Sequence, residues 1–249
     1  MGGGLGAGRR LAAVPTGEAD VDATITTGEA PPAEVEVDEA LAARLLAEQH
    51  PDLADRPLRA EAEGWDNATF RLGDDLAVRL PRRAAAVPLV EHEQRWLPVL
   101  ADRVGVAVPR PVRVGRPAAG YPFPWSVVAW VAGTVTAEAP LRGGGAGDLG
   151  AFLRRLHQPA PADAPRNPHR GVALAVKSPG IGPRLDRLVV RGELSAAAAA
   201  DLGRRWAAAV ALPVDVEPTW FHGDLHPKNV VGRDGRLARL GLLDVDEQR

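Results

Sequence analysis

The stretch from Phe221 to Asn229, FHGDLHPKN, constrains the fold of this chain more than any other. Pro227 lacks a backbone N–H and has a fixed φ, so the segment reads as a loop rather than a helix or an inner strand. After it come a hairpin-turn sequence, Arg233-Asp234-Gly235-Arg236, and an apolar strand from Leu237 to Leu243 that delivers Asp244 at its end. The five-residue step from Asp224 to Asn229 lets one tight loop aim an acid and an amide into a cleft, and the strand brings a second acid to the same place.

Those residue types suit phosphoryl transfer. Such a site needs a carboxylate to accept a hydroxyl's proton and hard oxygen ligands to hold Mg²⁺ against phosphates. A different reading starts from the alternation of His222, Asp224 and His226, which on an extended strand would share a face and could bind zinc, as in a metal-dependent hydrolase. The remaining histidines (His50, His92, His157 and His169) are scattered, cysteine is absent, and Pro227 speaks for a loop. A purely structural polar loop is a third reading.

Upstream, the sequence reads as a small meander. Glu63 to Gly73 gives a strand, a turn containing Gly64 and Asn67, and a returning strand; Asp74-Asp75 then turns into Leu76 to Pro81. A helix is predicted over Glu91 to Leu100, with Trp96, Leu97 and Leu100 directed inward and Pro98 ending or kinking it. Val127 to Val131 reads as another strand running out to Gly133.

HGDLHPKN followed by LLD resembles the catalytic loop and metal-binding segment of the aminoglycoside phosphotransferase family, small-molecule relatives of the protein kinases. The resemblance runs from about Val37 to the end by order of motifs. It implies an α+β, protein-kinase-like two-lobe fold, with a small antiparallel-sheet N-lobe and a mostly helical C-lobe. Asp224 would be the catalytic base, Asn229 and Asp244 would hold Mg²⁺, and His222 would brace the loop. The turn at Gly64 and Asn67 would lie over the phosphates of ATP, and Arg79 would supply the cation that contacts them. Lysine is not an option there, since the two lysines are Lys177 and Lys228. Arginine keeps the charge and can fork onto two oxygens. Glu93 is the expected ion-pair partner of Arg79, with Glu91 as the alternative, and the backbone of Ala129, Trp130 and Val131 would meet the adenine edge.

The implied organisation is a disordered segment over residues 1–36, a nucleotide-binding lobe and hinge over 37–131, and a C-lobe over 132–249. Asp38 is expected to cap a helix over Glu39 to Gln49 carrying Leu41, Leu45 and Leu46 on its apolar face. Leu141 to Gly145 reads as a flexible break. Asp148 is the expected cap of a helix through His157 whose stripe is Leu149, Phe152, Leu153 and Leu156. Leu185, Leu188 and Val189 suggest a further helix, and Ser195 to Leu212 another.

Family members continue after the metal-binding Asp with an aromatic residue, a glycine and several helices. Here Val245, Asp246, Glu247, Gln248 and Arg249 follow. The expectation is therefore an incomplete C-lobe that exposes Phe152 and Trp206, with Asp246 adding a carboxylate near the metal. A truncated, weakly catalytic nucleotide-binding pseudokinase is the alternative to an active enzyme. The 249 residues, 45% hydrophobic and 25% charged with net charge −2, give no electrostatic case for nucleic acid or an acidic membrane. No apolar run approaches the roughly 20 residues of a membrane-spanning helix. A small-molecule hydroxyl acceptor is the expected partner, antibiotic inactivation an implied role, and the cytoplasm the expected location; the sequence carries no readable sign of oligomeric state.

Overall fold

The computed structural model describes residues 32–64, 66–166, 171–213, 217–240 and 246–248. Most of the segment expected to be disordered lies outside these residues, as do Trp65 and Asp244.

Helix α1, Glu39–Gln49, begins where Asp38 leaves extended backbone and its carboxylate accepts the Leu41 N–H at 2.7 Å. Its buried residues Leu41, Ala42, Leu45 and Leu46 cover one face of a five-stranded antiparallel sheet. The strands are β1 (Leu58–Glu63), β2 (Asn67–Leu72), β3 (Leu76–Pro81), β4 (Pro111–Gly115) and β5 (Trp125–Ala129), in the order β1-β2-β3-β5-β4. Side chains alternate across a strand. Phe70, Leu72, Leu76, Val78, Leu80, Trp125 and Val127 therefore face α1 and form one core. Arg71, Ala77, Arg79, Ser126 and Val128 fall on the opposite face, with Arg71 opposite Ala77, and Arg79 opposite both Thr69 and Ser126. Each fully buried leucine here contributes about 1.5–3 kcal/mol.

Helix α2, Val87–Val104, is longer at both ends than its sequence pattern suggested. Pro98 does not end it. Leu97, Leu100 and Val104 are buried on either side of the proline, and that burial offsets the missing hydrogen bond. The helix stops where Gly105 takes φ 66°, the left-handed conformation that glycine adopts without strain.

The second half holds β6 (Thr134–Val135), α3 (Gly145–Leu156), α4 (Leu174–Val190), α5 (Ala196–Val210), β7 (Thr219–Phe221), β8 (Val230–Arg233), β9 (Arg236–Leu240) and β10 (Asp246–Gln248). Strands β6, β8 and β9 form one small sheet in that order, and β10 pairs with β7 in another. A second core joins the two halves, bringing Leu97, Leu100 and Val104 of α2 against Phe152, Leu156, Trp220, Val230 and Leu240.

Three expectations are corrected here. Phe152 is 1% exposed, because α2 reaches down and covers it. Asp148 is not the cap of α3: it lies in the first turn and accepts two hydrogen bonds from Arg236, at 2.6 and 2.5 Å. Within the glycine-rich stretch, Gly143 has open space around it while Gly145 is packed tightly, since a Cβ there would lie 2.6 Å from the Gly235 carbonyl oxygen. Helices α4 and α5 pack on each other and bury none of their residues; Val190 is 87% exposed, and the Trp206 indole N–H donates to Ser178 Oγ at 2.9 Å.

Candidate active site

Strand β7 carries the chain into the loop from His222 to Asn229. Trp220 is buried, with its ring 5.1 Å from that of Trp96 on α2, so the strand end is fixed by the second core. His222 follows, also buried, and Gly223 turns with φ 75°. That turn lets the Asp224 N–H donate back to His222 Nδ1 at 3.2 Å. His222 thus braces the loop from inside.

Asn229 closes the loop. Its side-chain amide donates to both the main-chain oxygen and the Oδ2 of Asp224, each at 2.9 Å, while its own N–H donates to the His226 carbonyl at 2.8 Å. Two acceptors on one side settle the orientation of the amide, so its Oδ1 points away from Asp224. His226 Nε2 lies 3.5 Å from Asp224 Oδ2. The Pro227 carbonyl accepts from Thr136 Oγ1 at 3.0 Å and from the Ala137 N–H at 3.2 Å, tying the loop to the segment after β6.

The donor set suits Mg²⁺ better than zinc. An amide oxygen turned outward beside a carboxylate is hard-ligand chemistry. The zinc reading needs imidazoles, yet His222 Nδ1 is engaged with the main chain, and among the described residues no group of three or more His, Cys, Asp or Glu is gathered as a metal site. Asp244 lies outside the described residues. Position 246 sits in β10 opposite Phe221.

On the five-stranded sheet, Arg79 Nη1 donates to Glu93 Oε2 of α2 at 2.7 Å, with the two residues 6% and 5% exposed. Glu91 is exposed. Helix α2 is held in register for this pair by Gln94, whose amide donates to the Trp125 carbonyl at 2.9 Å and to Ser126 Oγ at 3.0 Å. Burial pushes the Glu93 carboxyl up, and the guanidinium beside it pulls it partly back.

The remaining expected positions are distributed as follows. The Gly64 N–H donates to the Asn67 carbonyl at 2.9 Å, closing the turn on itself, and Arg82 donates to the Gly64 carbonyl at 3.0 Å. Asn67 is buried opposite Pro81. Where β5 ends, the Ala129 N–H donates to Arg110 and the Trp130 N–H to Asp75, at 3.2 and 2.7 Å. Of the three backbone amides expected at the adenine edge, only that of Val131 lacks a main-chain partner among the described residues.

Sequence reasoning passed over the side chains around Trp130. The Arg71 guanidinium lies 4.6 Å from the Trp130 ring centroid and that of Arg239 lies 5.0 Å from it. Arg71 also donates to the carbonyls of Gly73 and Asp74, at 3.0 and 2.5 Å. A lone arginine in an otherwise apolar strand, LARLGLL, was the available signal for Arg239.

The phosphotransferase enzyme family, APH, matches residues 57–246. The chain belongs to this family. No curated protein matches the phosphotransferase. Among solved structures, it is similar to the GDP complex of aminoglycoside 2'-phosphotransferase-IIIa, with TM-score 0.64 and 20% identity over 85% of this chain and 74% of that one. It is also similar to the macrolide 2'-phosphotransferase MphH from Brachybacterium faecium, with TM-score 0.54 and 23% identity over 84% and 72%. The streptomycin-ATP-APH(2")-IIa ternary complex aligns with TM-score 0.52 and 17% identity over 86% and 73%. At these identities the likeness carries the fold, which is the protein-kinase-like α+β fold. Family and fold together make the chain a small-molecule kinase.

Proposed function

We propose that the chain moves the γ-phosphate of ATP to a hydroxyl of a small molecule, with an aminoglycoside-like amino-alcohol or polyol as the leading acceptor class. The observation that carries this reading is the double hydrogen bond from Asn229 to Asp224. It fixes the direction of the Asp224 carboxylate and turns the Asn229 amide oxygen away from it.

In this reading Asp224 receives the acceptor's hydroxyl through a hydrogen bond, orients it, and accepts its proton as the new bond to the γ-phosphorus forms, the bond to the β,γ-bridging oxygen breaks and ADP leaves. The loop's internal bonds keep the carboxylate from rotating away, so the entropy of alignment is met before the acceptor arrives. Asn229 Oδ1 and Asp244 would hold Mg²⁺, which when bound neutralises charge on the phosphates. Arg79 presents a guanidinium to the same phosphates, with Glu93 fixing its direction. The turn at Gly64 and Asn67 covers them, and the Val131 N–H and Ala129 carbonyl face the base. The neighbours in complex with GDP, ADP, ATP, kanamycin and gentamicin lend support. No helix among the described residues is long and apolar enough to cross a membrane. The same reading assigns the work to the cytoplasm and extends to antibiotic inactivation.

Asp224→Asn tests the assignment. Turnover is expected to fall by about 10²- to 10⁴-fold with nucleotide affinity retained. A variant as fast as its parent would remove Asp224 as base. A parent chain that binds nucleotide yet phosphorylates no aminoglycoside, macrolide or simple amino-alcohol would favour the pseudokinase reading.

A further inference from the structure

We propose that Arg239 is a second phosphate-binding cation, set opposite Arg79, so that the donor's polyphosphate is gripped from both halves of the molecule. This inference rests on the nucleotide reading above. Arg239 stands on β9 opposite Val231 of β8, and its strand also bridges to Ala107 beyond the end of α2. From there its side chain rises to lie on the ring of Trp130, which continues the upper sheet's β5.

The charge balance at this place is uneven. Three guanidiniums, those of Arg71, Arg79 and Arg239, gather on the cleft side of the sheet and hinge. Glu93 is the one carboxylate bonded to any of them among the described residues. Arg79 Nη2 and Arg239 Nε are both buried without a hydrogen-bond partner. Desolvation and the nearby Arg79 charge both lower the proton affinity of Arg239, although guanidinium remains charged at any physiological pH.

A partly buried guanidinium with no carboxylate bonded to it weakens a fold unless something compensates it. A polyphosphate would do so, since it carries several negative charges and offers oxygens to both forks. Trp130 keeps the Arg239 side chain extended in the meantime, through a cation–π contact worth about 0.5–2 kcal/mol. In sequence Asp244 follows β9 by four residues, so one short segment would contribute a cation to the phosphates and an oxygen ligand to the metal.

Calorimetric titration of the full chain with ATP, AMP and adenosine, in the presence of Mg²⁺, tests this in the parent, Arg239→Gln and Arg239→Lys. Arg239→Gln is expected to weaken ATP by about 10- to 100-fold, the worth of one or two charge-assisted hydrogen bonds. Adenosine should change by less than about two-fold, and Arg239→Lys should fall between, since a point charge lacks the fork. The melting point without nucleotide should hold or rise in Arg239→Gln, because an uncompensated charge has been removed. Equal weakening of ATP and adenosine would overturn the proposal in favour of a base contact. A lower melting point with ATP affinity unchanged would overturn it in favour of a structural role. A parent that binds no nucleotide would overturn the proposed function as well.

Discussion

The buried pair of Arg79 and Glu93 can be broken from either side, and the two breaks should not be equivalent. At 2.7 Å and 6% and 5% exposure, each charge depends on the other for nearly all its compensation. Glu93→Gln leaves a guanidinium that cannot release its proton, so the loss should be about 3–5 kcal/mol at any pH near neutrality. Arg79→Met leaves a carboxyl that can take up a proton instead. Desolvation already raises Glu93 in the parent, and without Arg79 the folded-state value climbs further above the unfolded one. A raised folded value means that stability is fully present below the unfolded pKa and is lost as pH rises through the folded pKa. In Arg79→Met the deficit relative to the parent should therefore be larger near neutrality than near pH 5, growing by at most about 1.4 kcal/mol per pH unit. Urea unfolding of the parent and both variants at the two pH values measures this, with the slope in denaturant checked for constancy. A pH-independent deficit in Arg79→Met, or equal losses in the two variants, would refute the claim that the pair is desolvated in solution. Replacing both partners together, as Arg79→Met with Glu93→Leu, should recover most of the loss.

Gly133→Ala should cost about 1–3 kcal/mol by overpacking, because a Cβ there would lie 2.5 Å from Val231 Cγ1 and 2.6 Å from the Gly232 carbonyl oxygen; a thermal midpoint equal to the parent's would contradict that geometry. Asp148 is held below the usual carboxylate range by its hydrogen bonds from Arg236, so its contribution should be present above the unfolded value and lost as pH falls through the depressed one; the midpoint difference between parent and Asp148→Asn should persist near neutrality and vanish in strong acid. Limited proteolysis should cut first within α4 and α5, which bury none of their residues, and early cuts in β3 or α2 would argue against this fold.

What the sequence disclosed was local. Asp38 before an apolar-periodic run announced α1, and Asp234-Gly235 announced the β8–β9 turn, where both residues take positive φ of 53° and 77°. The step from Asp224 to Asn229 is equally local, and its bonds close within one loop. Asp148 looked like a cap because its true partner, Arg236, stands 88 residues away. Helix α2 was read short because Pro98 is a breaker in isolation, and only the distant Phe152 and Trp220 explain why burial overrides it. Arg239 stands in an otherwise apolar strand pattern, LARLGLL, which carries no sign of its neighbours. Only the register that sets it opposite Val231, together with the fold that brings Trp130 above it, sets it against that ring.

The crossing between the two halves is fastened more tightly than a pivot would be. Trp130 is tied upward through its N–H to Asp75, and two steps later the Ala132 carbonyl is forked downward by Arg233, at 3.1 and 2.5 Å. Gly133 then lies hard against Gly232. A joint riveted in both directions resists bending, so the halves should move by sliding past each other. The Arg71 and Arg239 guanidiniums over the Trp130 ring are suited to that, since a cation–π attraction is less directional than a hydrogen bond.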